Sequence, residues 1–143
     1  MNKFAIIASR FHPEIVEKLV KNALETLAAQ GVQSDVIWVP GALEIPIVAQ
    51  RAARTRKYDA LVCLGAVIKN ETDHYEHVCR EVHQGITRVC LDVSLPITMG
   101  VLTVEHRNQA IERSRDNNRN VGLNAALAAL QVVATLTTLG PDL

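Results

Sequence analysis

Four short apolar runs separated by amphipathic stretches predict an α/β protein, with helices on both faces of a four-stranded parallel sheet. Two observations carry that expectation. The runs 4–9, 35–39, 60–68 and 97–103 are apolar without alternation, as strands buried on both faces are. The segments joining them are long enough for a helical crossover, which makes successive strands parallel and the connections right-handed.

Each element has its own warrant. Phe4 to Ser9 is the first strand. Pro13 suits the first position of a helix, and Ile15, Val16, Leu19, Val20, Ala23, Leu24 and Leu27 recur at three- and four-residue spacing. Gly31 is a natural stop. Asp35 to Val39 is the second strand, broken by Pro40-Gly41. A second helix is expected from Glu44 through Arg54, where Ala49, Ala52 and Ala53 allow close packing on a sheet. Ala60 to Ile68 is the third strand. A third helix starts at His74-Tyr75, with Val78, Val82, Gly85 and Val89 facing inward. Leu95-Pro96 introduces the fourth strand, Ile97 to Thr103. Thr103 is then expected to N-cap a short helix through Arg113. After the polar link 114–120, Gly122 opens a last helix to about Thr138. That helix is apolar nearly all round, so a second burial, against another subunit, is expected. The sum is one domain over residues 1–143, a three-layer α/β/α protein with the strands in flavodoxin-like order.

Composition narrows the function. Of 143 residues, 48% are apolar and only 3% aromatic, so the core rests on Val, Leu, Ile and Ala. Fifteen basic and fifteen acidic residues cancel, which gives no electrostatic footprint for nucleic acid or an anionic membrane. Three cysteines without a CxxC pair suit neither a disulfide framework nor a zinc site, and point to a reducing, cytoplasmic compartment. The N-terminal apolar stretch is short for a signal peptide, and residues 123–139 contain Asn124, Gln131 and three Thr, so no spanning segment is expected. No metal site is expected from the five histidines, since no Cys or carboxylate stands at ligand spacing. GxGxxG, GxxxxGK[ST] and GxSxG are all absent.

In a sheet of this kind ligands bind outside the carboxyl ends of the strands. Three segments arrive there: Arg10-Phe11-His12, Pro40 to Glu44, and Gly65 to Tyr75. The third is the richest. A strand that turns through Lys69-Asn70-Glu71-Thr72-Asp73 into a helix offers free N–H groups and a positive dipole end to an anion, or is simply a capped turn. His74 stands where it can move a proton. Glu71 and Asp73 are acidic, so an anion there needs a cation. Arg113 is the candidate, unless it only complements its helix dipole. Phe11 either stacks on a planar ring or packs beside Pro13. Glu44 either favours a helix N-terminus or accepts hydrogen bonds from a heterocycle.

The blocks Pro40-Gly41-Ala42-Leu43-Glu44-Ile45-Pro46, Gly65-Ala66-Val67-Ile68 with Glu71-Thr72 and His74-Tyr75, 96–103 and 109–113, in order and at matching spacing, resemble the lumazine synthase family. The resemblance covers essentially the whole chain. It implies a riboflavin-pathway transferase that condenses 5-amino-6-(D-ribitylamino)uracil with 3,4-dihydroxy-2-butanone 4-phosphate, without metal or organic cofactor. It implies that Phe11 stacks on the pyrimidine, and that Ala42, Leu43, Glu44, Ala66, Val67 and Ile68 hold the pyrimidine and ribityl side. Glu71 and Thr72 would cradle the phosphate with Arg113 of a neighbouring subunit. Met99 of the neighbour would close the ring pocket, and His74 would be the acid/base. The implied assembly is a homo-oligomer: a pentamer, with a shell of twelve pentamers as the larger form. Lacking the N-terminal extension of shell-forming members, the chain is expected as the free pentamer.

The chain departs from the usual pattern at His12 (Asn), Asn70 (Gly), Tyr75 (Phe), Met99 (Phe), Val121 (Lys) and Asn124 (acidic). A second expectation follows from the last two. On it, the scaffold is a slow or non-catalytic pyrimidine- or lumazine-binding assembly protein.

Overall fold

The computed structural model describes residues 2–69 and 74–142. Four strands, β1 (Lys3–Ser9), β2 (Gln33–Val39), β3 (Ala60–Ile68) and β4 (Ile97–Val104), form one parallel sheet in the order β2-β1-β3-β4. Five helices accompany them: α1 (Pro13–Ala29), α2 (Ile45–Arg54), α3 (His74–Val93), α4 (Arg107–Glu112) and α5 (Val121–Leu139). This is the expected flavodoxin-like architecture.

The strand alternation sorts two cores. Phe4, Ile6 and Ala8 of β1 and Val62 and Leu64 of β3 pack with Leu19, Ala23, Ala126 and Ala129 of α1 and α5. Their sequence neighbours Ala5, Ile7, Leu61 and Cys63 face Ile45, Ala49, Val82 and Ile86 of α2 and α3. That period of two on both faces is why the strands read as unbroken apolar runs. Burial pushes the Cys63 thiol up to about 12, so it stays protonated at neutral pH.

Three expectations are corrected. β4 runs on to Val104, so Thr103 is a strand residue and not a helix cap. The short helix begins at Arg107 instead, where the Gln109 side chain accepts from the backbone N–H groups of Glu105 and His106, each at 3.0 Å. The second helix starts at Ile45 after a 3-10 turn, Ala42–Glu44, which puts Pro46 in the first turn, where proline fits. On α3 the buried position is Ile86, while Gly85 faces Pro46 of α2, close enough that an added Cβ would lie 2.7 Å from its Cγ.

The fourth correction concerns α5, whose 19 residues are long and apolar enough to cross a membrane by length and composition. The polar residues count for less than expected, because Thr135, Thr137 and Thr138 each donate to the carbonyl four residues back. The packing is that of a helix on a sheet. Gly122, Ala125, Ala126 and Ala129 are buried against α1 and the sheet, and Thr98 Oγ1 of β4 donates to the Ala125 carbonyl at 2.8 Å. The larger side chains Leu127, Val132, Leu136 and Leu139 face outward, Leu139 being 76% exposed.

Asn120 anchors the start of α5. It is fully buried, and its Oδ1 accepts from Leu123 N–H at 3.0 Å. Its Nδ2 donates to the carbonyls of Ser114 at 2.9 Å and Arg115 at 3.1 Å. Nearby, Asp116 accepts from Asn22 at 2.9 Å and Lys21 at 3.2 Å, tying the polar link to α1. Those two donors hold the Asp116 carboxyl below its ordinary range. Asn120→Ala removes a helix cap and strands a donor and two carbonyls, so a loss of about 2 kcal/mol is expected in urea unfolding. A midpoint unchanged from the parent contradicts this network.

Candidate functional site

β1 lies between β2 and β3, so the chain leaves β1 in one direction toward β2 and crosses back over it to β3. The loops after β1 and β3 therefore diverge, and a crevice opens outside the carboxyl ends of the strands at that point. A cavity of about 420 Å³ lies between α2 and Ile37 of the edge strand and shares no lining residue with the crevice. The crevice itself measures about 330 Å³. It is lined by Phe11 and His12 after β1, Gly41 to Glu44 after β2, Ala66 to Ile68 ending β3, and His74 and Val78 of α3.

Local sequence explains how each arrives. Arg10 N–H donates to the Val39 carbonyl at 2.9 Å, pinning the loop after β1 to the end of β2. Phe11 follows and remains 67% exposed. Gly41 admits both neighbours: a Cβ there would lie 3.1 Å from Glu44 Oε1 and 3.1 Å from Phe11 Cε2. The missing side chain lets the Phe11 ring and the Glu44 carboxylate converge over the same backbone. Ala66, Val67 and Ile68 form an apolar floor where β3 runs out. His74 opens α3 and is exposed.

The structure thus brings together Phe11, Ala42, Leu43, Glu44, Ala66, Val67, Ile68 and His74. Glu71 and Thr72 lie outside the described residues. Met99 does not line this crevice; it sits on β4 opposite Cys63 and packs toward α2 and α3. Arg113 does not line it either, and is exposed as the C-cap of α4, where its carbonyl accepts from Val121 N–H at 2.9 Å. Sequence reasoning gave no role to His12 or Val78. For His12 a signal was present: an ionisable residue just before a helix-opening proline, beside Phe11. Val78 reads only as a core residue of α3.

Of the eleven described residues that line it, only His12, Glu44 and His74 have polar side chains. Such a site can hold a planar, partly apolar molecule by stacking and offer it a carboxylate acceptor and imidazole groups. The fold is that of a flavodoxin-like α/β protein, with a crevice at its topological switch point. More particularly, a family model described as 6,7-dimethyl-8-ribityllumazine synthase matches residues 1–137, and the chain belongs to that family.

Proposed function

We propose that this chain condenses 5-amino-6-(D-ribitylamino)uracil with 3,4-dihydroxy-2-butanone 4-phosphate to 6,7-dimethyl-8-ribityllumazine. The observation that carries the reading is the convergence of Phe11, Glu44 and His74, from three separate segments, on one crevice in a chain of this family. Phe11 stacks on the pyrimidine and Glu44 accepts hydrogen bonds from it or its ribityl chain. Ala42, Leu43, Ala66, Val67 and Ile68 form the walls. The pyrimidine amine adds to the ketone and water leaves as the imine forms. Phosphate is then eliminated, the ribitylamino nitrogen attacks the remaining carbonyl, and a second water leaves as the second ring closes. Each stage moves a proton, and His74 is the group assigned to move it. Most of the rate comes from holding two reactants together, as a metal-free condensation requires.

The phosphate is held by Glu71 and Thr72, largely through backbone N–H, and by Arg113 of a neighbouring subunit, with Met99 of that neighbour closing the ring side. Arg113 and Met99 stand apart from the crevice of their own chain, which suits a role in an adjacent one. The outward apolar face of α5 suits burial against another copy, and we place the protein in a cytoplasmic homopentamer. A shell of twelve such pentamers is the larger form this surface would serve. Mixing both substrates with the protein and following lumazine absorbance tests the reading. A rate well above the uncatalysed background is expected; none above it overturns the proposal.

A second reading has one observation in its favour. Val121 packs inward, its Cγ1 3.3 Å from where a Cβ on Gly100 would stand. No cation is offered from that position, which favours a slow or purely binding protein. Lumazine binding without turnover would establish it.

A further inference from the structure

His12 is built into the crevice with more support than a loop residue needs. It caps α1 in a left-handed conformation, φ 56° and ψ 58°, which a non-glycine residue adopts at a cost. It lines the crevice with Phe11 and Glu44. On its other side, Arg107 Nη1 of α4 lies 3.5 Å from His12 Nδ1. Arg107 is itself paired with Glu14 in the first turn of α1. That guanidinium holds the Glu14 carboxyl below its ordinary range.

Arginine only donates, so a hydrogen bond across this contact needs Nδ1 as the acceptor and leaves Nε2 to carry the ring proton. A pyrimidinedione carries carbonyl oxygens that need donors. Phe11 offers a face, Glu44 accepts only, and His74 is taken up with proton transfer. Among the described lining residues His12 is the remaining polar side chain.

We propose that His12 recognises the heterocycle, donating from Nε2 to a pyrimidine carbonyl oxygen, and that Arg107, anchored on Glu14, is the positioning residue that fixes its ring. The inference rests on the proposed function for the identity of the ligand. It adds a specificity determinant at a position where the family usually has Asn, and a reason for the left-handed backbone: the side chain is turned toward the ligand.

The test is an equilibrium titration with 6,7-dimethyl-8-ribityllumazine, read by its fluorescence, so that turnover is not needed. His12→Gly keeps the left-handed backbone without strain and removes the imidazole. It is expected to weaken binding about tenfold, the net worth of one good hydrogen bond. His12→Asn tolerates the same backbone and supplies an amide donor, and should recover part of the loss. Arg107→Met should weaken binding less. In the double variant with His12→Gly it should add nothing, because it acts through the ring. Competition by inorganic phosphate should be the same in every variant. If the parent binds and His12→Gly binds equally well, the role of His12 is wrong while the site assignment stands. Additive losses in the double variant remove Arg107 from its positioning role. A parent that binds no lumazine overturns the site assignment and this inference with it.

Discussion

Gly122→Ala is expected to cost about 3 kcal/mol of stability, although alanine is the better helix former by about 1 kcal/mol. The reason lies in the crossing of α1 and α5. A Cβ at Gly122 would stand 2.1 Å from the Leu19 carbonyl oxygen, 2.7 Å from its carbon and 2.8 Å from its Cα. These are backbone atoms inside a helix and cannot rotate away as a side-chain tip would. The two helices must separate, and separation loosens Leu19, Ala125 and Ala126, all buried in the same core. Overpacking of this kind outweighs the propensity gain. The thermal midpoint should fall by roughly 10 °C for a chain of this size. Gln131→Ala, at an exposed position of the same helix, is the control and should stay within about 0.5 kcal/mol. A Gly122→Ala protein as stable as its parent would show that the helices do not cross this closely in solution.

His74→Ala should lower turnover by up to ~10²-fold, the lower end of what acid–base help supplies, because these substrates also react unaided. Its KM for the pyrimidine should change little, since that recognition is assigned to Phe11, Glu44 and His12. Arg113→Ala should instead raise KM for the phosphate substrate selectively, by about 10- to 100-fold for a lost charge-assisted contact. The two variants together test the shared site. If His74 and Arg113 of one active site come from different subunits, mixed oligomers rebuild intact sites. Random mixing of equal amounts in a ring should make about a quarter of the sites wild type. Recovery of activity on mixing is the expected result. Two variants that stay inactive after refolding together would place both residues in one chain or remove one from the site. Unchanged turnover in His74→Ala alone would end its role as the acid/base.

Much of the crevice was legible before the fold. Phe11, Glu44 and His74 each follow a strand, and in a parallel sheet the ends of strands meet at one edge. The boundaries of β3 match because its apolar run is bounded by Asp59 on one side and Lys69 on the other. The first turn of α4 was misjudged for a physical reason. Thr103 looks like a cap by residue type, but pairing with Val67 of β3 holds it in the strand. The cap falls to Gln109, reaching back from inside the helix. His12 went unassigned because nothing in one dimension places Arg107, 95 residues away, beside it.

The sequence by itself determined the alternation of strands and helices, the two-sided burial of the sheet and the edge at which the site must lie. These follow from local periodicity, which needs no knowledge of what touches what. Only the tertiary structure decided which glycine is a contact, which polar residue is a hub and which histidine has a held ring. Gly122 matters because of Leu19, Asn120 because of Ser114 and Arg115, and His12 because of Arg107. The first and last are distances between residues far apart in the chain, and the second, within the link 114–120, depends on how that link folds; such distances are fixed by packing rather than by pattern.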